Sequence, residues 1–421
     1  MLASPIPPSL PGPSRSSLDD LESLSERSPS PSSHPLDLSS LPIELISRIL
    51  HLLLLSYPAR TAPRALLPLL LVSRTIYNIA LSTPSLWTSL RLTDTGITPR
   101  LQLQLERSGA LPLDIEITVR CRSHKSLPCK AGISALMDSL ASLRPSMSRW
   151  ESLDLNLSSC WLAQEALATC GTALFSLSKL TVRTGHSDSG DYATPLPSVL
   201  LHMPKLREIN FQWYNFRWVQ SCTLPSVRAL RLSSYYMDDP GLATELLEML
   251  RALPELERLE MDTVAERWVP RLSQPPAFEP VELPRLRSLK MRDCGQDKVL
   301  VLLRDIRCPN VQCLEMDMLG HISPLLEVLA GEEHMWERLE EVKVVACEFT
   351  AANMMLWLRR MPALRKLEIR DCSQMNKAVS DLVWLAEGCA RVSLNDLVEL
   401  TVLEGRQFCT LHLPSLSINL Q

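Results

Sequence analysis

Glycine is scarce: 13 residues in 421, against a usual ~7%. Loops that cradle phosphates are built on glycine, so the common nucleotide-dependent enzymes lose their main structural device. A dominant charge sign is missing too. Lys and Arg number 43, Asp and Glu 47, for a net charge of −4, and this near-balance argues against a polyanion binder, which carries a visible basic excess. Long apolar runs are absent. The strongest stretch, Ile49 to Leu55, is broken by Pro58, Arg60, Pro63 and Arg64, far short of the ~20 residues of a membrane span. No basic start followed by an apolar core marks a signal peptide. Twelve cysteines are present, but none precedes Cys121 and the rest are scattered singly. A chain of this length buries its own core without staples, so reduced thiols in cytoplasm or nucleus are expected.

Chemical motifs are equally sparse. The chain lacks Gly-x-x-x-x-Gly-Lys, Gly-x-Ser-x-Gly and His-Glu-x-x-His, so no phosphate loop, nucleophile elbow or zinc-protease helix is encoded. Cys121, His124 and Cys129 have two ligand-like spacings but no clear fourth ligand, so no metal is expected. His186, Asp188 and Asp191 read as a hydrophilic insertion. The expectation is a protein without enzymatic activity, cofactor or metal, and without nucleic-acid or membrane partners.

Three regions follow from composition and periodicity. Residues 1–37 are a tail: positions 1–40 hold 13 Ser and 8 Pro, too little apolar surface to offset ordering, so disorder is expected. Ser4, Ser28 and Ser30 precede proline, which makes the tail either a spacer or a target for proline-directed phosphorylation. Residues 38–92 read as a small helical unit. Pro42 suits a first helical position and Glu44 the first turn. Leu45, Ile49 and Leu52 then share one helical face, and Ile46, Leu50 and Leu53 another. A second helix is expected from about Pro68 through Leu71, Val72, Ile76 and Ile79 to Pro84, followed by a strand-like Leu90-Arg91-Leu92. Residues 93–145 form a connecting segment, with a half-buried strand read from the alternation Leu113, Ile115, Ile117, Val119.

Residues 146–421 carry an internal repeat. The segments 203–213, 224–234, 253–263, 283–294, 308–318 and 361–372 share the pattern Pro-x-L-x-x-L-x-L, and 336–347 fits with Glu337 in the proline place. Weaker copies centre on Leu153, Leu180 and Leu400. The second apolar position runs Leu153, Leu180, Ile209, Leu230, Leu259, Leu289, Leu314, Val342, Leu367, Leu400, with spacings of 21 to 33 and a mean of about 27, within the leucine-rich-repeat range of ~20–29. The fold class expected is therefore α/β: a leucine-rich-repeat solenoid with parallel strands lining a curved face and helices outside, behind a small all-helical head and a disordered tail. Cys294, Cys347 and Cys372 stand three residues past the last strand leucine, where Asn or Cys satisfies backbone groups at the turn.

Between the strand leucines, Glu260, Lys290, Glu315, Lys343 and Glu368 alternate in sign, and two positions later run Asp262, Arg292, Asp317, Val345 and Arg370. With strands ~4.8 Å apart, each row is either a self-neutralising ladder or a charged ligand face. On the second reading Lys290 and Lys343 contact a protein substrate. The aromatics Trp213 and Tyr214, with Phe216 and Trp218, and Tyr235 with Tyr236 one repeat on, are either exposed binding anchors or fillers of an irregular repeat.

LSSLPIELISRIL followed by LLPLLLVSRTIYNIALSTPSLW resembles the F-box, a module of about fifty residues. Leu41, Pro42, Glu44, Leu45, Ile49, Val72, Ser73, Arg74, Leu86 and Trp87 fill its signature positions. Departures are Ile76, where many members carry tryptophan, and Pro68. Ser108, Gly109, Pro112 and Leu113 are also similar to a turn found soon after the F-box in the large families of mushroom-forming fungi. The resemblance implies a substrate receptor of an SCF-type cullin–RING ubiquitin ligase, with Leu41, Pro42, Leu45, Ile49 and Val72 contacting the adaptor subunit, and through it a cullin, while the repeats hold a protein substrate. The alternatives are a repeat scaffold without ligase coupling and a GTPase-activating protein. Nothing in the sequence marks the single catalytic contact that the last would need.

Overall fold

The computed structural model describes residues 41–56, 68–93, 97–119, 130–185, 194–195, 200, 203–214, 216–217, 223–234, 240–263, 280–331, 335–372, 399–404 and 407–412. The Ser/Pro-rich tail, the Cys121–Cys129 cluster, His186, Asp188, Asp191, Trp218, Tyr235 and Tyr236 lie outside them.

One long sheet dominates. Its strands are β1 (Ser89–Thr93), β2 (Leu113–Thr118), β3 (Trp150–Asn156), β4 (Lys179–Arg183), β5 (Glu208–Gln212), β6 (Ala229–Ser233), β7 (Arg258–Asp262), β8 (Ser288–Arg292), β9 (Cys313–His321), β10 (Glu341–Glu348), β11 (Lys366–Arg370), β12 (Glu399–Glu404) and β13 (Gln407–His412). They lie side by side in chain order. Neighbours from β1 to β12 are parallel, and β13 turns back antiparallel on β12. The sheet takes in residues 89–93 and 113–118, N-terminal to the boundary at 146 that the leucine spacing marks.

Register follows the repeat. Leu153, Leu180, Ile209, Leu230, Leu259, Leu289, Leu314, Val342, Leu367 and Leu400 are successive cross-strand partners. Leu90 and Ile115 extend the same row upstream. From Leu90 to Leu367 no member of the row is more than 3% exposed. Strand side chains alternate between faces, so the residue two further on is buried as well, from Leu92 and Ile117 to Met291, Met316 and Ile369.

Parallel strands need crossovers, and helices supply many of them: α3 (Pro99–Arg107), α4 (Lys130–Leu143), α5 (Cys160–Cys170), α6 (Pro240–Arg251), α7 (Gln296–Asp305), α8 (Ser323–Gly331) and α9 (Ala351–Leu358), numbered after the two helices of the head described below. Their apolar residues, among them Leu136, Leu167, Leu250, Leu303, Leu326 and Trp357, join the strand leucines in one continuous core. Among the described residues the helices therefore lie on the leucine face of the sheet.

The proline of the repeat has a local reason. Met203, Leu224, Leu253, Leu283, Cys308 and Met361 each accept a hydrogen bond from the residue three further on, at 3.1–3.3 Å. Proline stands second in every one of these turns, where its fixed φ is pre-set and its missing N–H costs nothing. Trp336 and Leu339 close the same turn at 3.2 Å with Glu337 in that place. At the other end of the strands Trp213, Ser234, Thr263, Asp293, Met318, Ala346 and Asp371 all adopt positive φ, between 47° and 57°. Each directly follows the stretch paired in the leucine register. At five of them the chain leaves the sheet, while Met318 and Ala346 mark an irregularity inside β9 and β10, which pair again at Gly320–Cys347 and His321–Glu348.

Next in line stand Cys294, Cys347 and Cys372, buried. Each thiol lies 3.2 Å from the carbonyl two residues back, of Arg292, Val345 and Arg370. Each also lies 3.7–3.8 Å from a carbonyl of the preceding strand, of Met261, Met316 and Val344. Their role at the turn is backbone satisfaction. Burial pushes Cys347 up to about 11 and Cys372 to about 12, which keeps both protonated.

Candidate functional site

The N-terminal head consists of α1 (Ile43–Ser56), a helical turn at 68–70, α2 (Arg74–Ser82) and a 3-10 turn, Pro84–Trp87. The single second helix expected from Pro68 to Pro84 is corrected. The chain breaks at Leu71-Val72-Ser73, and α2 starts afresh because the Ser73 hydroxyl accepts the Ile76 N–H at 3.1 Å as an N-cap. Pro42 precedes α1 as its cap, and its carbonyl accepts from Leu45 and Ile46 N–H at 3.0 and 3.2 Å.

A small core holds these pieces together: Ile46, Leu50, Ile76, Ile79, Ala80, Leu86 and Trp87, with Leu41 and Leu54 packed at its margin. The Trp87 indole N–H donates to the Ala80 carbonyl at 2.7 Å. Ser47 and Thr83 hydroxyls meet at 3.1 Å, and Thr83 also donates to the Ile79 carbonyl at 2.7 Å. These bonds tie α1 and the 3-10 turn to the end of α2.

The two apolar faces of α1 have separate fates. Ile46 and Leu50 point into the core, while Leu45 is 51% exposed, Ile49 45% and Leu52 51%. On the helix these three recur at i, i+4 and i+7 and form one stripe. The break before α2 exposes two more apolar side chains, Leu71 at 87% and Val72 at 63%. Isolated exposed apolar residues are ordinary. A stripe of three at one helical face, in so small a unit, is the pattern of a protein-contact surface. Of the residues singled out for adaptor contact, Pro42, Leu45, Ile49 and Val72 are thus exposed, and Leu41 is half-buried against the head's own core. Ile76, the departure from the family signature, is a core residue.

The face of the sheet opposite the leucines carries the charged rows, with Glu368 itself buried. Lys290 lies 3.0 Å from Glu315, and Lys343 reaches Glu315 at 3.5 Å and Glu368 at 3.8 Å. One row over, Arg292 meets Asp317 at 3.3 Å. Arg231 bridges both rows, to Glu260 at 3.5 Å and Asp262 at 3.6 Å. Lys290 and Lys343 are therefore members of a neutralised ladder. Arg183 and Asp154 pair at 2.9 Å on β4 and β3, so cross-strand pairing also occurs upstream of Glu260, where the charged rows read from the sequence begin.

The aromatic anchors fare differently. Of the two readings of Tyr214, exposed anchor or filler of an irregular repeat, the anchor is corrected and the filler holds: it is 1% exposed and packs on Phe211 with ring centroids 5.2 Å apart. It occupies the turn slot that cysteine fills three repeats further on, and a left-handed Trp213 before it swings the chain inward. Trp213 is half-buried, and its carbonyl accepts from Thr184 and Cys160. Sequence reasoning missed the exposed Trp161 on the first turn of α5 and Phe175 after that helix. Neither belongs to the leucine pattern, and only their exposure reveals them. Among the described residues no group of His, Cys, Asp and Glu could hold a metal ion, and no helix is long and apolar enough to cross a membrane.

No protein-family model and no curated protein matches the chain. Among solved structures it is similar to human 5T4 (Wnt-activated inhibitory factor 1, trophoblast glycoprotein), with 16% identity over 52% of this chain and 78% of that one, at a TM-score of 0.31. A likeness this distant says nothing about what the chain binds. The chain is an α/β protein built on a long parallel sheet, with an apolar stripe exposed on its N-terminal head.

Proposed function

We propose that this protein is an interaction receptor without chemistry of its own: a leucine-rich-repeat solenoid carrying an F-box-like head that docks on the adaptor subunit of an SCF-type ubiquitin ligase. The repeats hold a protein substrate. The head brings that substrate to the ubiquitin-carrying enzyme, and the gain is effective concentration. Support for the solenoid comes from the one-to-one register of leucines at a repeat of about 27 residues. One observation carries the docking role: motif residues Leu45, Ile49 and Val72 stand exposed while their neighbours Ile46 and Leu50 fill the head's core. A helix stripe of this kind fits an apolar groove.

The test uses the full chain and purified adaptor. Wild type binds, and the double variant Leu45→Asp/Ile49→Asp does not, with unchanged thermal unfolding. Failure of the wild type to bind would leave the repeat scaffold without ligase coupling as the reading.

A further inference from the structure

A groove of about 1000 Å³ runs along the edge of the sheet where β2 to β7 begin. It is walled by first-strand residues such as Asp114, Lys179, Glu208 and Arg258 and by the turns before them. Its lining holds six Lys or Arg and four Asp or Glu, an excess of two positive charges on a chain whose net charge is −4. Its carboxylates are largely occupied. Glu208 is shared between Lys179 at 2.8 Å and Arg258 at 3.8 Å, the latter reaching over the small Ala229 on the strand between. Glu257 pairs with Arg228 at 3.5 Å, and Asp114 accepts from the Ser152 hydroxyl. Among the described residues Lys205 and Arg207 have no carboxylate partner, and both are exposed.

Six parallel strands at ~4.8 Å make a trough ~24 Å long, the span of about seven extended residues. We infer that this groove binds an extended acidic segment of a partner protein, with Lys205 and Arg207 taking its carboxylate or phosphoserine side chains. Glu208 and Glu257 in the lining disfavour an unbroken phosphate backbone, whose charges cannot be placed selectively. The inference deepens the interaction-receptor reading by giving the repeats a ligand class, and it stands apart from the adaptor contact on the head.

The experiment is fluorescence anisotropy on the full chain with a labelled eight-residue peptide of alternating Glu and Ala. The same peptide with phosphoserine or with Gln in the Glu places, and a single-stranded oligonucleotide of eight bases, complete the probes. The Glu and phosphoserine peptides bind, the Gln peptide binds at least about tenfold more weakly, and Lys205→Glu/Arg207→Glu costs at least about tenfold in affinity. Lys205→Gln/Arg207→Gln falls between, with unfolding unchanged in both, and adaptor binding is retained. Equal binding of the Glu and Gln peptides, no binding of either acidic peptide, full binding by the charge-reversed variant, or tighter binding of the oligonucleotide would each overturn the proposal. Loss of adaptor binding by Leu45→Asp/Ile49→Asp with peptide binding intact keeps the two surfaces distinguishable.

Discussion

The Trp87 indole N–H donates to the Ala80 carbonyl at 2.7 Å, closing the head just before the chain enters β1. Trp87 is 4% exposed, so its bond and its packing act together. Trp87→Phe keeps most of the apolar contact but leaves the Ala80 carbonyl without this donor, a loss of about 1–3 kcal/mol. Trp87→Ala adds a cavity and costs about 3–5 kcal/mol. Chemical denaturation followed by circular dichroism should rank wild type, Phe and Ala in that order; equal midpoints would show that the bond contributes nothing.

Ile46 and Ile49 are three residues apart on α1 and face opposite environments. Ile49→Asp places a charge in water and changes stability by no more than about 0.5 kcal/mol. Ile46→Asp places it inside the small core without a partner and unfolds the head. Limited proteolysis separates the outcomes: cleavage within 41–87 should rise for Ile46→Asp alone.

Glu315 stands between Lys290 and Lys343. Its side chain is 24% exposed and theirs 37% and 30%, so solvent screens the pairs and Glu315→Gln costs only about 0.5–1 kcal/mol. Glu315→Lys sets three cations on adjacent strands and costs more, through like-charge repulsion. Raising salt from about 50 to 500 mM should shrink that deficit. A deficit independent of salt would mean packing, not charge, governs the site.

Ala346 has φ of +49° and is exposed. The left-handed region costs a non-glycine residue roughly 1 kcal/mol, and glycine removes that cost while gaining freedom in the unfolded chain. Ala346→Gly should therefore lie between neutral and about 1 kcal/mol more stable, and Ala346→Val should be clearly less stable, as its β-branch opposes positive φ. Thermal melts of the two variants decide the sign.

Burial raises Cys170, Cys308 and Cys372 to about 12 and Cys347 to about 11, from an ordinary 9.0. Alkylation at pH 8 should leave these four unlabelled in the native protein and label them after denaturation, as read by peptide mass spectrometry. The linkage has a definite sign. Below about pH 9 the thiols are protonated in both states and stability is full. Between 9 and 11–12 the unfolded chain loses protons that the folded one keeps, so stability falls as pH rises. Native labelling of Cys347 or Cys372 at pH 8 would contradict the turn role given to them.

The leucine register was legible in the sequence because a parallel strand buried on one face repeats its apolar residues at fixed positions, and spacing alone then aligns Leu153 through Leu400. The cysteines after the strands and the alternating charges from Glu260 to Glu368 were readable for the same reason, since each sits at a set distance from those leucines. Leu90 and Ile115 escaped the count because the 38-residue step from Ile115 to Leu153 breaks the rhythm, and only hydrogen bonding between strands places them in the row. The sequence presented α1 with two apolar faces and no means of choosing between them. Packing against Ile76, Ile79 and Trp87 chose Ile46 and Leu50 for the interior and left Leu45, Ile49 and Leu52 outside. Tyr214 went inward for a similar reason: a local pattern records which residues share a face, but what that face meets is decided by elements distant in the chain. The groove at the strand starts is of this second kind throughout, since Arg258 finds Glu208 only once the strand between them offers nothing larger than Ala229.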